Sequence, residues 1–217
     1  MPTIVIYGAG GFAREVAWLI PSSNMKQYEI ACFISDTPEE QGLVINGIAV
    51  MSLEETRKRY PSASAIAAIG NPAGREIISN RAKENGFCFA TIIHQETLKS
   101  EWIKIGEGTV ICAGNILTTN IEIGRHAQIN LGCTIGHDVI IGDYSTLSPG
   151  VHVSGRVHIG NRVYIGTGAV IIAGTSERPI VIEDDVVIGA GACVTRSLAG
   201  KQTYVGVPAK SIRTAHL

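Results

Sequence analysis

From Ile105 to Ile171 the chain carries an aliphatic residue at every sixth position without a slip. Ile105, Ile111, Leu117, Ile123, Ile129, Ile135, Ile141, Leu147, Val153, Ile159, Ile165 and Ile171 share one phase. Neither the 3.6-residue period of a helix nor the alternation of a half-buried strand selects every sixth residue. A fixed six-residue self-similarity predicts a parallel β-helix, in which each hexad forms one flat face and stacked coils share a core. Glycine at the second hexad position recurs at Gly106, Gly124, Gly142 and Gly160, eighteen residues apart. Three hexads therefore make one coil of a triangular prism, and fifteen hexads give about five coils.

The fifth hexad position is mostly small or β-branched (Thr109, Ala127, Cys133, Val139, Ser145, Val151, Val157, Val163, Ala169), which suits a tight interior corner. The register breaks after Ser176 and resumes at Ile182, Ile188 and Val194. Glu177–Val181, with its charges and proline, is expected to leave the prism as a loop. The tail Val205–Lys210 is expected to cover the open end.

Residues 1–94 follow a different grammar, in which strands alternate with helices. Thr3–Tyr7, Glu29–Ile34, Ala65–Ile69 and Phe87–Ile93 read as strands, and Phe12–Ile20 as a helix with Phe12, Val16, Leu19 and Ile20 on one face. Ser52-Leu-Glu-Glu55 is a capping box that opens a short helix toward Tyr60. Arg75–Asn85 forms a helix closed by Gly86. This order predicts a Rossmann-like, doubly wound α/β domain over 1–94, followed by the β-helix domain with its capping tail over 95–217.

At 217 residues with 17% charged side chains and a net charge of -1, the chain has no basic field for a nucleic acid partner. No apolar run approaches the roughly 20 residues of a membrane helix. Pro2–Tyr7 lacks the basic start of a signal peptide, and the five cysteines are scattered and never spaced C-x-x-C. These features lead to the expectation of a cytoplasmic protein with reduced thiols and no membrane contact.

The turn Gly8-Ala-Gly10-Gly-Phe-Ala13 approaches the G-x-G-x-x-G/A fingerprint, whose glycines and helix N-terminus suit a phosphate. Asp36 closes the second strand, where such folds hold a ribose hydroxyl. A tight turn without ligand remains the alternative reading. With fewer than about 100 residues the domain has one mononucleotide-sized half, which favours a nucleotide or nucleotide sugar over a dinucleotide.

Six histidines are present. His94 ends the first domain, His216 lies in the tail, and His126, His152 and His158 occupy fourth or sixth hexad positions that are expected to face solvent. His137 stands at a third position, directly before Asp138. An imidazole beside a carboxylate is the pairing suited to general-base work near neutral pH.

The hexad array, the turn Gly8–Gly11 and the tail Gly206-Val-Pro-Ala-Lys210 together resemble the bacterial sugar acyltransferases of the left-handed β-helix class. Within it the chain looks most like the sialic acid O-acetyltransferases and the N-acetyltransferases of 4-amino nucleotide sugars. The resemblance runs over essentially the whole chain. It implies a left-handed coil, a homotrimer, acetyl-CoA as acyl donor in the groove between neighbouring prisms, and a sugar or nucleotide-sugar acceptor for surface polysaccharide or glycan biosynthesis. By the same matching, His137 is the general base with Asp138 beside it. Gly10, Gly11 and Phe12 line the phosphate region, Ser35 and Asp36 the base or ribose, and Gly70 and Asn71 the sugar nucleotide. Thr146, Thr167 and Ala190 match coenzyme A contacts, and no metal is implied.

The chain departs from the amino-sugar enzymes at two places. Thr146 stands where they often carry a second histidine near the thioester, and Phe12 where they often carry a histidine at the phosphate. Amine and hydroxyl acceptors both remain open on these residues. Two other readings are a non-catalytic nucleotide-sugar-binding protein and a γ-carbonic-anhydrase-like metalloenzyme using His126, His137 and His152.

Overall fold

The structure is a computed structural model that describes residues 2–212; His216 lies outside them. The chain forms two compact units that divide between Gln95 and Glu96.

The first unit contains β1 (Thr3–Tyr7), α1 (Gly11–Leu19), β2 (Glu29–Ile34), β3 (Val44–Ile45), β4 (Ile48–Met51), α2 (Leu53–Arg59), β5 (Ser64–Ala67), α3 (Pro72–Glu84) and β6 (Cys88–Phe89). Its sheet runs β3-β4-β2-β1-β5-β6, parallel throughout except for the β3–β4 hairpin. From central β1 the chain winds outward through β2 and β4, then crosses to the other side for β5 and β6. The direction of winding therefore reverses between β1 and β5, and a crevice opens beyond their carboxyl ends. Ile4, Val5 and Ile6 are fully buried, as expected of a parallel strand covered on both faces.

Several boundaries differ from the sequence expectation. Asn46 and Gly47, with φ of 50° and 79°, turn the β3–β4 hairpin. An Asn-Gly dipeptide is the usual signal for a two-residue hairpin turn, and the sequence analysis assigned no element there. Helix α3 begins three residues before Arg75. Asn71 caps it by accepting the Gly74 N–H at 2.8 Å, and Pro72 sits at the first helical position, where its missing N–H costs nothing. Strand β5 ends at Ala67, not Ile69. The last expected strand is split into Cys88–Phe89 and Ile92–Ile93.

The second unit is a prism of very short strands. One face carries Val110–Ile111, Gln128–Ile129, Thr146–Leu147, Tyr164–Ile165 and Val187–Ile188. A second carries Ile116–Leu117, Thr134–Ile135, His152–Val153, Val170–Ile171 and Cys193–Val194. The third carries Ile103–Ile105, Ile121–Ile123, Ile140–Ile141, Val157–Ile159 and Ile180–Ile182. Each strand pairs in parallel with the one eighteen residues on, or twenty-three across the detour before the last coil, so a buried aliphatic stacks on its counterpart in every coil. The fifth-position residues from Thr109 to Ala169 are all fully buried. The polar ones among them bond the backbone of adjacent coils: Ser145 Oγ donates to the Gly160 carbonyl at 2.7 Å and accepts the Val163 N–H at 3.0 Å.

A regularity absent from the sequence reading governs the corners. The fourth hexad position takes left-handed backbone, as at Asn120, His126, Asp138, Tyr144, Arg156 and Arg162, with φ between 53° and 60°. His126 accordingly does not face solvent. It is 4% exposed and stacks flat on Tyr144, one coil on, at 5.2 Å between ring centres. The excursion from the prism also lies earlier than expected. Ile180–Ile182 is a strand paired with Val157–Ile159, so Ile180 and Val181 belong to the prism and the detour is 173–179. The tail continues the first face with Thr203–Val205 and then doubles back as Lys210–Ile212, antiparallel to it.

Candidate active site

In the first unit a cleft of about 310 Å3 opens at the crevice between β1 and β5. Its walls are the turn Gly8–Phe12, the end of β2 through Asp36, and the β5–α3 turn at Ala68–Gly70. Sequence matching thus brings Gly10, Gly11, Phe12, Ser35, Asp36 and Gly70 to one place; Asn71 stands next to it as the cap of α3. A Cβ at Gly8 would lie 2.7 Å from the Ala68 carbonyl oxygen, so the two loops approach as closely as only glycine permits.

Asp36 already carries two partners at the edge of this cleft. Tyr7 Oη donates to its Oδ1 at 2.8 Å, and Arg81 Nη1 contacts its Oδ2 at 2.5 Å. Burial, followed by the hydrogen bond to Asp36, pushes the Tyr7 phenol up to about 12. Ser35 Oγ is engaged too, donating to Glu40 at 2.6 Å. Sequence reasoning passed over Arg75. It is fully buried and donates to the Ile69 carbonyl at 2.7 Å, which holds the β5–α3 turn in place. Its only signal was an arginine at the start of a helix that packs on the sheet.

Because the raised Tyr7 pKa favours the protonated phenol, its contribution to stability is intact below pH about 10 and is lost as pH rises through about 12. The wild-type urea midpoint is therefore expected to fall more steeply between pH 9 and about 11.5 than that of Tyr7→Phe. Parallel curves for the two proteins would contradict this account of Tyr7.

In the second unit, His137 and Asp138 occupy the corner between the second and third faces. Asp138 adopts left-handed backbone with φ 56°, which turns its carboxylate back onto the preceding imidazole. His137 Nδ1 and Asp138 Oδ2 are 2.8 Å apart. A hydrogen bond with His137, and next one from Asn120, hold the Asp138 carboxyl below the usual carboxylate range. Since the ionised carboxylate can only accept, Nδ1 donates in this contact, which in the neutral imidazole leaves the lone pair on Nε2. The pair is about half exposed, at 47% and 42%, and so is open to a substrate.

The remaining matched residues lie elsewhere on the prism. Thr167 and Ala190 are exposed and follow one another on the corner between the first and second faces. Thr146 is 2% exposed on the first face, opposite the His137 corner. Its hydroxyl presents little surface to a thioester within one chain. The three histidines of the metalloenzyme alternative do not meet within the chain. His126 is buried against Tyr144, and His152 Nδ1 is 2.8 Å from Thr134 Oγ1 on the second face. Among the described residues no group of three or more His, Cys, Asp or Glu side chains is arranged to hold a metal ion.

A doubly wound unit with a cleft at its switch point, joined to a hexapeptide prism bearing a His–Asp corner, defines the class. The chain belongs to the sugar acyltransferases of the left-handed β-helix class. Residues 3–82 match the PglD N-terminal domain family and residues 138–173 the bacterial transferase hexapeptide (six repeats) family. The GDP-perosamine N-acetyltransferase of Escherichia coli O157:H7 is 34% identical over 185 residues, covering 82% of this chain and 81% of that protein. Among solved structures, WeeI from Acinetobacter baumannii AYE is 34% identical, covers 98% of this chain and 100% of its own, and superposes with a TM-score of 0.88. The perosamine N-acetyltransferase of Caulobacter crescentus, solved as a histidine-to-asparagine variant with CoA and GDP-perosamine, is 28% identical. It covers 98% of each chain at a TM-score of 0.88.

Proposed function

We propose that the chain transfers the acetyl group of acetyl-CoA to the amine of a nucleotide-linked amino sugar, with His137 as general base and Asp138 as its partner. The observation that carries this reading is the His137–Asp138 contact, in which Nδ1 donates to the carboxylate and Nε2 is left as the acceptor of a half-exposed side chain. Two of the relatives named above, those of Escherichia coli O157:H7 and Caulobacter crescentus, are perosamine N-acetyltransferases, and perosamine is an amino sugar; this favours N- over O-acetylation.

The acceptor amine attacks the thioester carbonyl carbon while its proton passes to His137 Nε2. Asp138 stabilises the imidazolium. As the tetrahedral intermediate collapses, the C–S bond breaks and the proton moves on to the departing CoA sulfur. The first-unit cleft at Gly10, Gly11, Phe12, Ser35, Asp36, Gly70 and Asn71 would receive the nucleotide. In that cleft Asp36 acts through Arg81 and Tyr7 more than as a bare carboxylate.

Thr167 and Ala190 stand on a different corner from His137, which is the arrangement needed if acetyl-CoA lies between two prisms and draws contacts from both. This supports a homotrimeric enzyme. No helix among the described residues is long and apolar enough to cross a membrane. The substrates suggest a cytoplasmic enzyme that supplies sugars for surface polysaccharide or glycan biosynthesis.

The test is thiol release from acetyl-CoA with a panel of GDP-, UDP- and dTDP-linked 4-amino sugars, each beside its 4-hydroxy counterpart. Release with at least one amine and with none of the hydroxyl compounds is expected. Release with a hydroxyl sugar alone would move the assignment to O-acetylation. No release with any member, together with nucleotide-sugar binding to the first unit, would favour a non-catalytic binding protein.

A further inference from the structure

The coils on either side of the His137–Asp138 corner meet the pair in different ways. From the coil before, Asn120 Nδ2 donates to Asp138 Oδ1 at 3.3 Å, leaving Oδ2 to His137. Asn120 shares the left-handed corner conformation, with φ 54°, and the Asp138 N–H bonds the Thr119 carbonyl at 3.2 Å. The two side chains are thus stacked in register.

On the coil after, Gly155 lies directly beneath the imidazole. A Cβ built there would sit 2.5 Å from His137 Nε2, 2.6 Å from Cε1 and 3.0 Å from Cδ2. The ring fills the space that a side chain at 155 would take. Its own backbone is tied to the same coil, because the Arg156 N–H donates to the His137 carbonyl at 2.9 Å. Gly155 has no left-handed φ, so the backbone itself does not call for glycine. What calls for glycine is the ring.

We propose that Asn120 and Gly155 are the positioning residues of the proton-transfer pair. Asn120 aims the carboxylate, and the missing side chain at 155 lets the imidazole lie flat enough for Nδ1 to reach it. This rests on the assignment of His137 as general base. Arg156 Nε, at 4.0 Å from Asp138 Oδ2, supplies charge on the same side but no short bond.

The consequences differ from those of ordinary overpacking. The His137 ring is half exposed and can swing outward, so a methyl at 155 displaces the ring and leaves the coil stack intact. Gly155→Ala is expected to keep its thermal midpoint within a few degrees of wild type while kcat falls by about 10-fold or more. The KM for acetyl-CoA is expected to change less than about threefold. Asn120→Gly keeps the left-handed corner and removes only the donor, and the same pattern is expected at smaller amplitude.

Steady-state kinetics with acetyl-CoA and the best amine of the panel give one readout. The 15N shifts of the His137 imidazole, assigned by their loss in His137→Gln, give a second that needs no substrate. Wild type is expected to show the Nδ1–H tautomer, and Gly155→Ala a mixture closer to free imidazole. Wild-type kcat and an unchanged tautomer in both variants would overturn the proposal. Should His137→Gln keep full turnover while the tautomer still shifts in Gly155→Ala, the general-base assignment fails and the positioning role stands.

Discussion

Replacing His137 by alanine is expected to lower turnover by about 100-fold or more while the protein stays folded. The two halves of this expectation have separate grounds. The loss follows from chemistry. A neutral sugar amine must shed a proton as its nitrogen attacks the thioester, and Nε2 is the base the corner presents once Nδ1 is bound to Asp138. Positioned proton transfer of this kind contributes typically about 100- to 10,000-fold. The retained fold follows from packing, because the ring is half exposed and lies over Gly155. Truncation leaves Asp138 with Asn120 and, at longer range, Arg156, so no buried charge is stranded.

The wild-type pH profile should carry the same signature. Asp138 is held below its ordinary range by His137 first and Asn120 second, so its carboxylate stays ionised well into the acid range. The acid side of kcat/KM is therefore expected to fall with a single proton, and that limb should vanish from the residual activity of His137→Ala. A variant that turns over at near the wild-type rate, or that keeps the acid limb, would reject His137 as the base.

How much of this was legible beforehand depends on the length scale of the physics. The hexad beat is a one-dimensional trace of a stacked core, so the phase of Ile105 to Ile171 and the buried fifth positions could be read from residue types alone. The left-handed fourth position was harder to see, because Asn, Asp and Gly there are mixed with His126, Tyr144, Arg156 and Arg162. Those larger residues accept the strain because each corner is stacked between identical corners, which is tertiary information. The same holds for His126, whose hexad position suggested solvent and whose coil-to-coil neighbour is Tyr144.

The detour was misplaced for a local reason. Glu177, Arg178 and Pro179 look like loop, and Ile180 and Val181 were swept up with them although they restart the strand. At the cleft, motif matching pointed to loops that do line one pocket, but the partners of Asp36 were not visible in it. Tyr7 and Arg81, 29 and 45 residues away in sequence, already occupy the Asp36 carboxylate. The Asn120–Asp138 and His137–Gly155 relations are eighteen residues apart and become visible only when the coil period is applied to side chains as well as to the core.

Stacking also predicts which glycines the prism cannot lose, and the answer runs against backbone conformation. Gly132 has φ 68°, yet nothing lies within 4 Å of where its Cβ would stand. Gly142 has no left-handed φ, but a Cβ there would lie 2.5 Å from both the carbonyl carbon and oxygen of Gly160 and 2.7 Å from the Asn161 nitrogen. Those atoms are backbone, and they are held by the parallel ladder. The Gly142 N–H itself donates to Ile159 at 2.8 Å and the Gly160 N–H to Ile182 at 2.8 Å. Room for a methyl at 142 can come only from parting two coils.

Gly132→Ala is thus expected to cost about 1–2 kcal/mol, the price of a left-handed alanine. Gly142→Ala is expected to cost about 3 kcal/mol or more, at or beyond the upper end of ordinary overpacking. For a chain of this size that separates the two thermal midpoints by several degrees, at about 2–4 °C per kcal/mol. Thermal unfolding of both variants beside wild type reads the difference directly. If Gly132→Ala proves the more damaging, corner conformation and not coil-to-coil contact limits the prism. The spacing of Gly106, Gly124, Gly142 and Gly160 would then need another cause.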